Sequence, residues 1–258
     1  MNRSTKTHRK VKFSSANCRG AGLQQIMMPP AVPLRALPPT HPAMNYLRER
    51  GYNPSSIADS WDIYYSHGNS VVQPFFPDAR LVVPLHSVEL VSPCKKDARF
   101  KGWQARSIEE DTKGRLPKYL FCRGMQRNLC LYNMQMEMNG DGPLFLVKGV
   151  TDAWRLATHV VALLGWTISP TQAYYITRDF KRRPVVVFLD RDHEKAAQLV
   201  ARVIRFFREQ EHDPTPVVVG HVPEHRKDIA DCTPEEALGA ACSALAQFND
   251  RRLMGIFR

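Results

Sequence analysis

Two carboxylates two residues apart, Asp190 and Asp192, stand at the end of the apolar run VVVFLD (185–190) and just beyond it. Side chains at that spacing past a strand can point the same way, and a divalent cation relieves their mutual repulsion. Oxygen ligands with several retained waters suit Mg²⁺ or Mn²⁺, ions that hold phosphates and screen developing charge. Taken alone, an Asp-x-Asp pair is also what a solvated turn looks like. Two further acids shift the balance toward a metal. Asp152 closes KGVTD (148–152) behind the run LFLV (144–147), and Asp228 lies in VPEHRKDIAD (222–231) shortly after PVVVG (216–220), with Asp231 three residues on. Ligands of open parallel α/β sheets sit beyond the carboxyl ends of the strands. Clustered anions at neighbouring strand ends need a counter-charge there.

The elements that must carry these residues have a clear texture from residue 143 onward. LFLV, VVVFLD and PVVVG read as buried parallel strands. DAWRLATHVVALLG (152–165) has apolar positions at helical spacing and ends in Gly, which predicts a helix. SPTQAYYI (169–176) opens with Ser169 as N-cap, Pro170 at the first helical position and Gln172 closing a capping box. EKAAQLVARVIRFFREQ (194–210) is an amphipathic helix, and Thr233, Pro234 and Glu236 cap another over 233–248. Strands alternating with helices predict a parallel sheet with helices on its faces.

The region from 41 to 135 is mixed. AMNYLRERGYN (43–53) predicts a short helix stopped by Gly51. RLVVPLHSVELV (80–91) predicts a strand that Pro84 demotes toward an edge. ARFKGWQARSI (98–108) and RLPKYLF (115–121) read as further extended segments. Before Glu49 there is no acidic residue, only Lys and Arg, with the Pro-rich stretch PPAVPLRALPPTHP at 29–42. Residues 1–40 are accordingly expected to be a disordered basic arm and a stiff linker. An acid-free, Ser/Arg-containing start also resembles an organelle transit peptide, although Gly and Pro interrupt the helix that import needs.

At 258 residues the chain can bury one large core or two smaller ones, and a net charge of +11 favours an anionic partner, nucleic acid first. The six cysteines include no C-x-x-C pair, so neither a zinc ribbon nor a secreted disulfide framework is supported. No apolar run reaches the roughly 18 residues of a membrane span. A cytoplasmic setting with reduced thiols is the expectation.

The ordered motifs resemble the TOPRIM domain of bacterial-type primases, topoisomerases and some nucleases, and within it the primase branch. LVKGVTDAWRLA resembles that family's glutamate-Gly-x-x-Asp motif, LLGWTISPTQAYYI its Leu-Gly-Thr stretch, VVVFLDRD its Asp-x-Asp strand, and VPEHRKDIAD its third acidic motif. Upstream, HPAMNYLRERGYNPSSIADSW (41–61) looks like the start of a primase core. RLVVPLHS, KGWQARSI and LPKYLF look like its basic subdomain, and NLCLYNM like the segment before the TOPRIM fold. The resemblance covers roughly 41–235. It implies an α/β protein with a TOPRIM-like parallel sheet flanked by helices over 139–250, preceded by a smaller basic α+β subdomain over 41–138.

The implied activity is synthesis of short RNA primers on a single-stranded DNA template from nucleoside triphosphates. Carried over by position, Asp152, Asp190, Asp192 and Asp228 become ligands of Mg²⁺ or Mn²⁺. Asp152, Asp190 and Lys148, the last at the family's glutamate position, become the catalytic set. Lys101, Trp103, Arg106, Arg115, Lys118 and Tyr119 become nucleic-acid or nucleotide contacts, with Trp103 and Tyr119 as stacking candidates. No zinc is expected, and a helicase or a separate zinc-binding protein would supply parts the chain lacks. No membrane partner is expected. Such a trimmed layout suits a phage, plasmid or mobile-element protein.

Lys148 is the main departure. An ammonium has three N–H donors and no acceptor, so it can neither ligate a cation nor take a proton. Beside Asp190 and Asp192 it competes with Mg²⁺ for the same carboxylates, at about 4 kcal/mol for a pair roughly 4 Å apart at an effective dielectric near 20, less desolvation. The pattern therefore predicts primase-like organisation with impaired catalysis, or a non-catalytic single-stranded-DNA-binding or replication adaptor on a degraded core.

Overall fold

The computed structural model describes residues 26–67, 76–92, 95–109, 116–138 and 140–255. Two sheets form the frame. The first is antiparallel, with strands β1 (Val32–Pro33), β2 (Tyr64–Ser66), β3 (Arg80–Ser92), β4 (Lys95–Ser107) and β5 (Tyr119–Phe121) in sequential order. Helices α1 (Pro42–Glu49) and α2 (Pro54–Ser60) lie between β1 and β2, and α3 (Met134–Glu137) follows β5. The second sheet is parallel, with β6 (Leu144–Val147), β7 (Val160–Ala162), β8 (Val185–Phe188) and β9 (Val217–Val219) in the order β7-β6-β8-β9. Helix α4 (Val150–Leu156) with α7 (Pro234–Gly255), and α5 (Pro170–Asp179) with α6 (Glu194–Gln210), pack as two pairs. The predicted α/β sheet with a preceding α+β part is the architecture observed.

Local chemistry explains most boundaries. Gly51 stops the α1 segment with a φ of +71°, a conformation a side chain resists. The Ser169 hydroxyl accepts from the Gln172 N–H at 3.0 Å while the Gln172 side chain accepts from the Ser169 N–H at 2.9 Å, so the capping box of α5 forms as read. Thr233 and Glu236 make the same reciprocal pair at the start of α7.

Three expectations need correction. The stretch 152–165 is not one helix: α4 ends at Leu156, positive φ at Ala157 (+65°) and His159 (+55°) redirects the chain, and Val160–Ala162 becomes β7. An apolar run of this length fits either period, and the β-branched pair Val160-Val161 settles into the sheet. The Pro-rich stretch is not a free linker in its described part, because Val32–Pro33 pairs with β2 and Leu34 is fully buried; residues 1–25 of the expected arm lie outside the described residues. Pro84 lies in a central strand, but β2 covers only Arg80–Val82 of β3, so the missing N–H falls where β3 lacks its second neighbour.

One continuous core runs from Leu34, Leu47, Trp61 and Leu81 to Val147, Val186 and Phe248, which joins the two sheets. A second core lies under α5 and α6, from Leu144 and Leu146 to Ile176, Val200 and Ile204. Gly220, directly after β9, leaves room for the Phe188 ring: a Cβ built there would lie 2.2 Å from it. Gly220→Ala is therefore expected to destabilise the protein by about 1–3 kcal/mol through overpacking. A thermal melt checks this, and an unchanged midpoint would show that Phe188 swings aside. Among the described residues, no helix is long and apolar enough to cross a membrane.

Candidate functional site

The order β7-β6-β8-β9 places a switch point between β6 and β8, whose chains continue to opposite sides of the sheet. Lys148 directly follows β6 and Asp190 lies two residues past β8, so the two side chains meet there. The Lys148 ammonium donates to Asp190 Oδ2, with Asp190 only 3% exposed. Burial works against the Lys148 charge, but the hydrogen bond and charge of Asp190, with Asp152 and Asp228 behind, hold its pKa above the ordinary lysine range. The other carboxylate oxygen, Asp190 Oδ1, is buried with no hydrogen-bond partner.

Asp152 projects from the first turn of α4. Its Oδ2 accepts from the Gly149 N–H at 2.9 Å and its Oδ1 from the Ala230 N–H at 3.1 Å. Burial first, then the charge of Asp228, pushes this carboxyl up to about 7, against the pull of the two N–H donors. Asp228 accepts from the Asp231 N–H at 2.9 Å, and burial followed by the Asp231 charge raises it as well. Arg155, also from α4, donates to the carbonyls of Gly51 and Arg50 at 2.9 and 2.8 Å, tying the end of α1 to the helix that carries Asp152.

These groups line a cleft of about 510 Å³ between the two sheets. Its wall on the antiparallel side carries Gln104, Arg106, Lys118, Tyr119, Phe121 and Arg127, with Arg50 beside them; the parallel side carries Lys148, Asp152, Trp166, Asp190, Lys227, Asp228 and Asp231. Six cationic side chains thus face four carboxylates. Arg106 is buried on β4 and donates to the hydroxyls of Tyr46 and Tyr119, whose rings lie 5.8 and 5.0 Å from its guanidinium carbon. Partial burial and the charges of Arg106 and Arg50 lower the Lys118 pKa.

Of the residues singled out from the sequence, Lys148, Asp152, Asp190, Asp228, Arg106, Lys118 and Tyr119 converge on this cleft. Asp192 does not line it. Its carboxylate is two-thirds exposed and pairs with His193 Nδ1 at 2.8 Å. Trp103 is not available for stacking: it is buried edge-on against Phe76, and its indole N–H donates to the Met27 carbonyl at 3.1 Å. Alternation along β4 turns position 103 to the face opposite Gln104, which lines the cleft. Lys101 is not part of the cleft wall; its charge acts on the Cys130 thiol. Arg115 lies outside the described residues.

Sequence reasoning missed Arg50, Gln104, Arg127, Trp166, Lys227 and His193. Arg50, Gln104 and Arg127 come from distant segments that only packing assembles. Trp166 and His193 had a usable signal, since they lie on the segments that leave the ends of β7 (Ala162) and β8 (Phe188) in the parallel sheet. Asp190, Asp192 and His193 can bring one ligand atom each within 4.8 Å of one another.

No family model matches the sequence, and no curated protein matches it either. Solved structures do. The catalytic domain of a DnaG primase bound to single-stranded DNA superposes with a TM-score of 0.61 at 18% identity, covering 84% of this chain and 74% of that one. The E. coli primase catalytic core gives 0.59 at 18% identity, over 83% and 75%. The zinc-binding and RNA polymerase domains of the Aquifex aeolicus primase give 0.58 at 19% identity, over 78% of this chain and 55% of that one, so the chain spans about half the length of that protein's structure. The two sheets are accordingly arranged as in a known architecture: the chain has the fold of the bacterial DnaG-type primase catalytic core.

Proposed function

We propose that the protein is a primase-like replication protein that binds single-stranded DNA and nucleoside triphosphates in this cleft, and that its nucleotidyl transfer is slow because Lys148 pairs with Asp190. The carrying observation is the meeting of strand-end aspartates and six cations in one cleft. Arg106, Lys118 and Arg127 suit strand phosphates, whose charge a binding protein must neutralise. The likeness to a DnaG catalytic domain bound to single-stranded DNA supports the same assignment.

Among the described residues, one group of side chains suits a divalent ion. Asp190, with Asp192 and His193, offers oxygen and imidazole donors to Mg²⁺ or Mn²⁺. Bound there, such an ion would polarise triphosphate oxygens and screen developing charge. Lys148 opposes it by taking one Asp190 oxygen. Asp152 holds backbone N–H groups with both oxygens and, with its pKa near 7, can accept or release a proton at working pH.

The second reading is a non-catalytic strand-binding adaptor. It is favoured by the same Lys148–Asp190 pair and by the backbone bonds that occupy Asp152. Fluorescence anisotropy of a labelled single strand, alongside primer synthesis with Mg²⁺ or Mn²⁺, separates the two. The expected result is salt-sensitive binding, with the logarithm of affinity falling by about 0.7 per phosphate contact for each tenfold rise in salt. A low primer yield that Asp190→Ala abolishes is expected with it. Binding without any product in either metal would support the adaptor, and absence of binding would sink both readings.

A further inference from the structure

Trp61, Trp103 and Trp154 are buried, whereas Trp166 is 50% exposed on the cleft wall. Its position is held from both neighbouring strand ends. The preceding Gly165 N–H donates to the Lys148 carbonyl at 3.1 Å, and Leu164, with φ +62°, turns the chain out of β7 toward the cleft. The indole stacks on the His193 ring with centroids 4.8 Å apart and planes 16° from parallel, and the Lys148 ammonium lies 5.4 Å from its centroid. A large aromatic left half open costs apolar exposure, and here the exposure falls where cations and an ion pair would receive a phosphate. Sites for single-stranded nucleic acid combine these parts: a basic groove for the backbone and an aromatic face for the base.

We propose that Trp166 is the base-stacking residue of the cleft, its indole backed by His193 taking a nucleobase while Lys148 takes the adjoining phosphate. This rests on the nucleic-acid reading of the cleft and assigns that site its base-recognition element. With His193 stacked on one face of Trp166, a base would take the other face beside the Lys148 ammonium, a contact open to every base, so it gives affinity without sequence preference. A template base and the base of an incoming nucleoside triphosphate present the same chemistry to it.

With the other three tryptophans buried, emission from Trp166 can be followed in the intact protein, with Trp166→Phe as the baseline of the buried set. Three probes are titrated: oligo(dT), an abasic strand of equal length, and ATP. Oligo(dT) or ATP is expected to quench the exposed emission and the abasic strand to leave it largely unchanged; which of the two quenches identifies the base as template or incoming nucleotide. Trp166→Ala is expected to weaken binding of the quenching probe roughly tenfold, as loss of one base stack does, and binding of the abasic strand little. Quenching by the abasic strand equal to that by oligo(dT), or unchanged affinity in Trp166→Ala while strands still bind by anisotropy, would overturn the stacking role and leave the nucleic-acid reading standing. Failure of wild-type protein to bind any probe would overturn both.

Discussion

Lys148→Glu is expected to convert the cleft from an internally neutralised site into one that depends on a divalent ion. In the wild-type protein the ammonium supplies the counter-charge for Asp190, which has only 3% of its surface exposed. Glutamate at the same place removes that partner and adds a fourth carboxylate near Asp152, Asp190 and Asp228. Breaking a buried ion pair costs about 3–5 kcal/mol, and the 31% exposure of the Lys148 side chain lowers this to roughly 2–3 kcal/mol. In chelator the variant should therefore melt roughly 5–10 °C below wild type. Mn²⁺ should restore most of the loss while leaving the wild-type midpoint nearly unmoved, because binding to the folded state alone adds stability. Primer yield should rise on the order of 100-fold, which corresponds to about 3 kcal/mol of charge stabilisation by the metal. Thermal melts in chelator and in Mn²⁺, run beside the primer assay, decide the matter. A variant as stable as wild type in chelator and indifferent to Mn²⁺ would show that the pair does not guard a metal site.

The second large effect concerns Asp152, whose carboxyl is pushed up to about 7 from an ordinary value of 3.8 by burial and then by Asp228. Between about pH 4 and pH 7 the folded protein keeps a proton that the unfolded chain has released. Stability from this group therefore falls as pH rises through that window, and the penalty is complete only above the folded value. A difference of roughly three units corresponds to about 4 kcal/mol at most, with coupling to Asp228 and Asp190 reducing what one substitution reveals. Asp152→Asn cannot ionise, but its amide offers one acceptor oxygen where the carboxylate used two, so either the Gly149 or the Ala230 N–H loses its partner. Wild type should be the more stable form near pH 5, with its advantage shrinking by about 2–4 kcal/mol by pH 8. Urea unfolding of both proteins at the two pH values measures this. A wild-type advantage independent of pH would mean that Asp152 is already ionised at pH 5.

Local signals were strong in the parallel half of the molecule. Consecutive β-branched residues at 185–187 and 217–219 have one stable use, a buried strand, and the capping residues Ser169, Gln172, Thr233 and Glu236 act within four positions of one another. The acidic residues could be placed at strand ends for the same reason. What misled was length. The apolar run over 152–165 satisfies a helical period, and only the place left open beside β6 makes Val160–Ala162 a strand. Likewise, the Pro-rich stretch finds a use as an edge strand because β2, 32 residues away, offers an unpaired edge.

By itself, then, the amino-acid order determined three of the four parallel strands, the caps, the positive charge and the row of aspartates beyond those strands, since each depends on interactions within a few residues. Tertiary structure decided which of those residues share a space. It brought the Lys148 ammonium onto Asp190 across the switch point, and it turned Asp192 outward to His193. It also buried Trp103 while leaving Trp166 open, and carried Arg50 and Arg127 into the cleft. The physical reason is that periodicity records which face of an element is apolar but not which other apolar face will cover it. A cleft is whatever the chosen pairings leave uncovered.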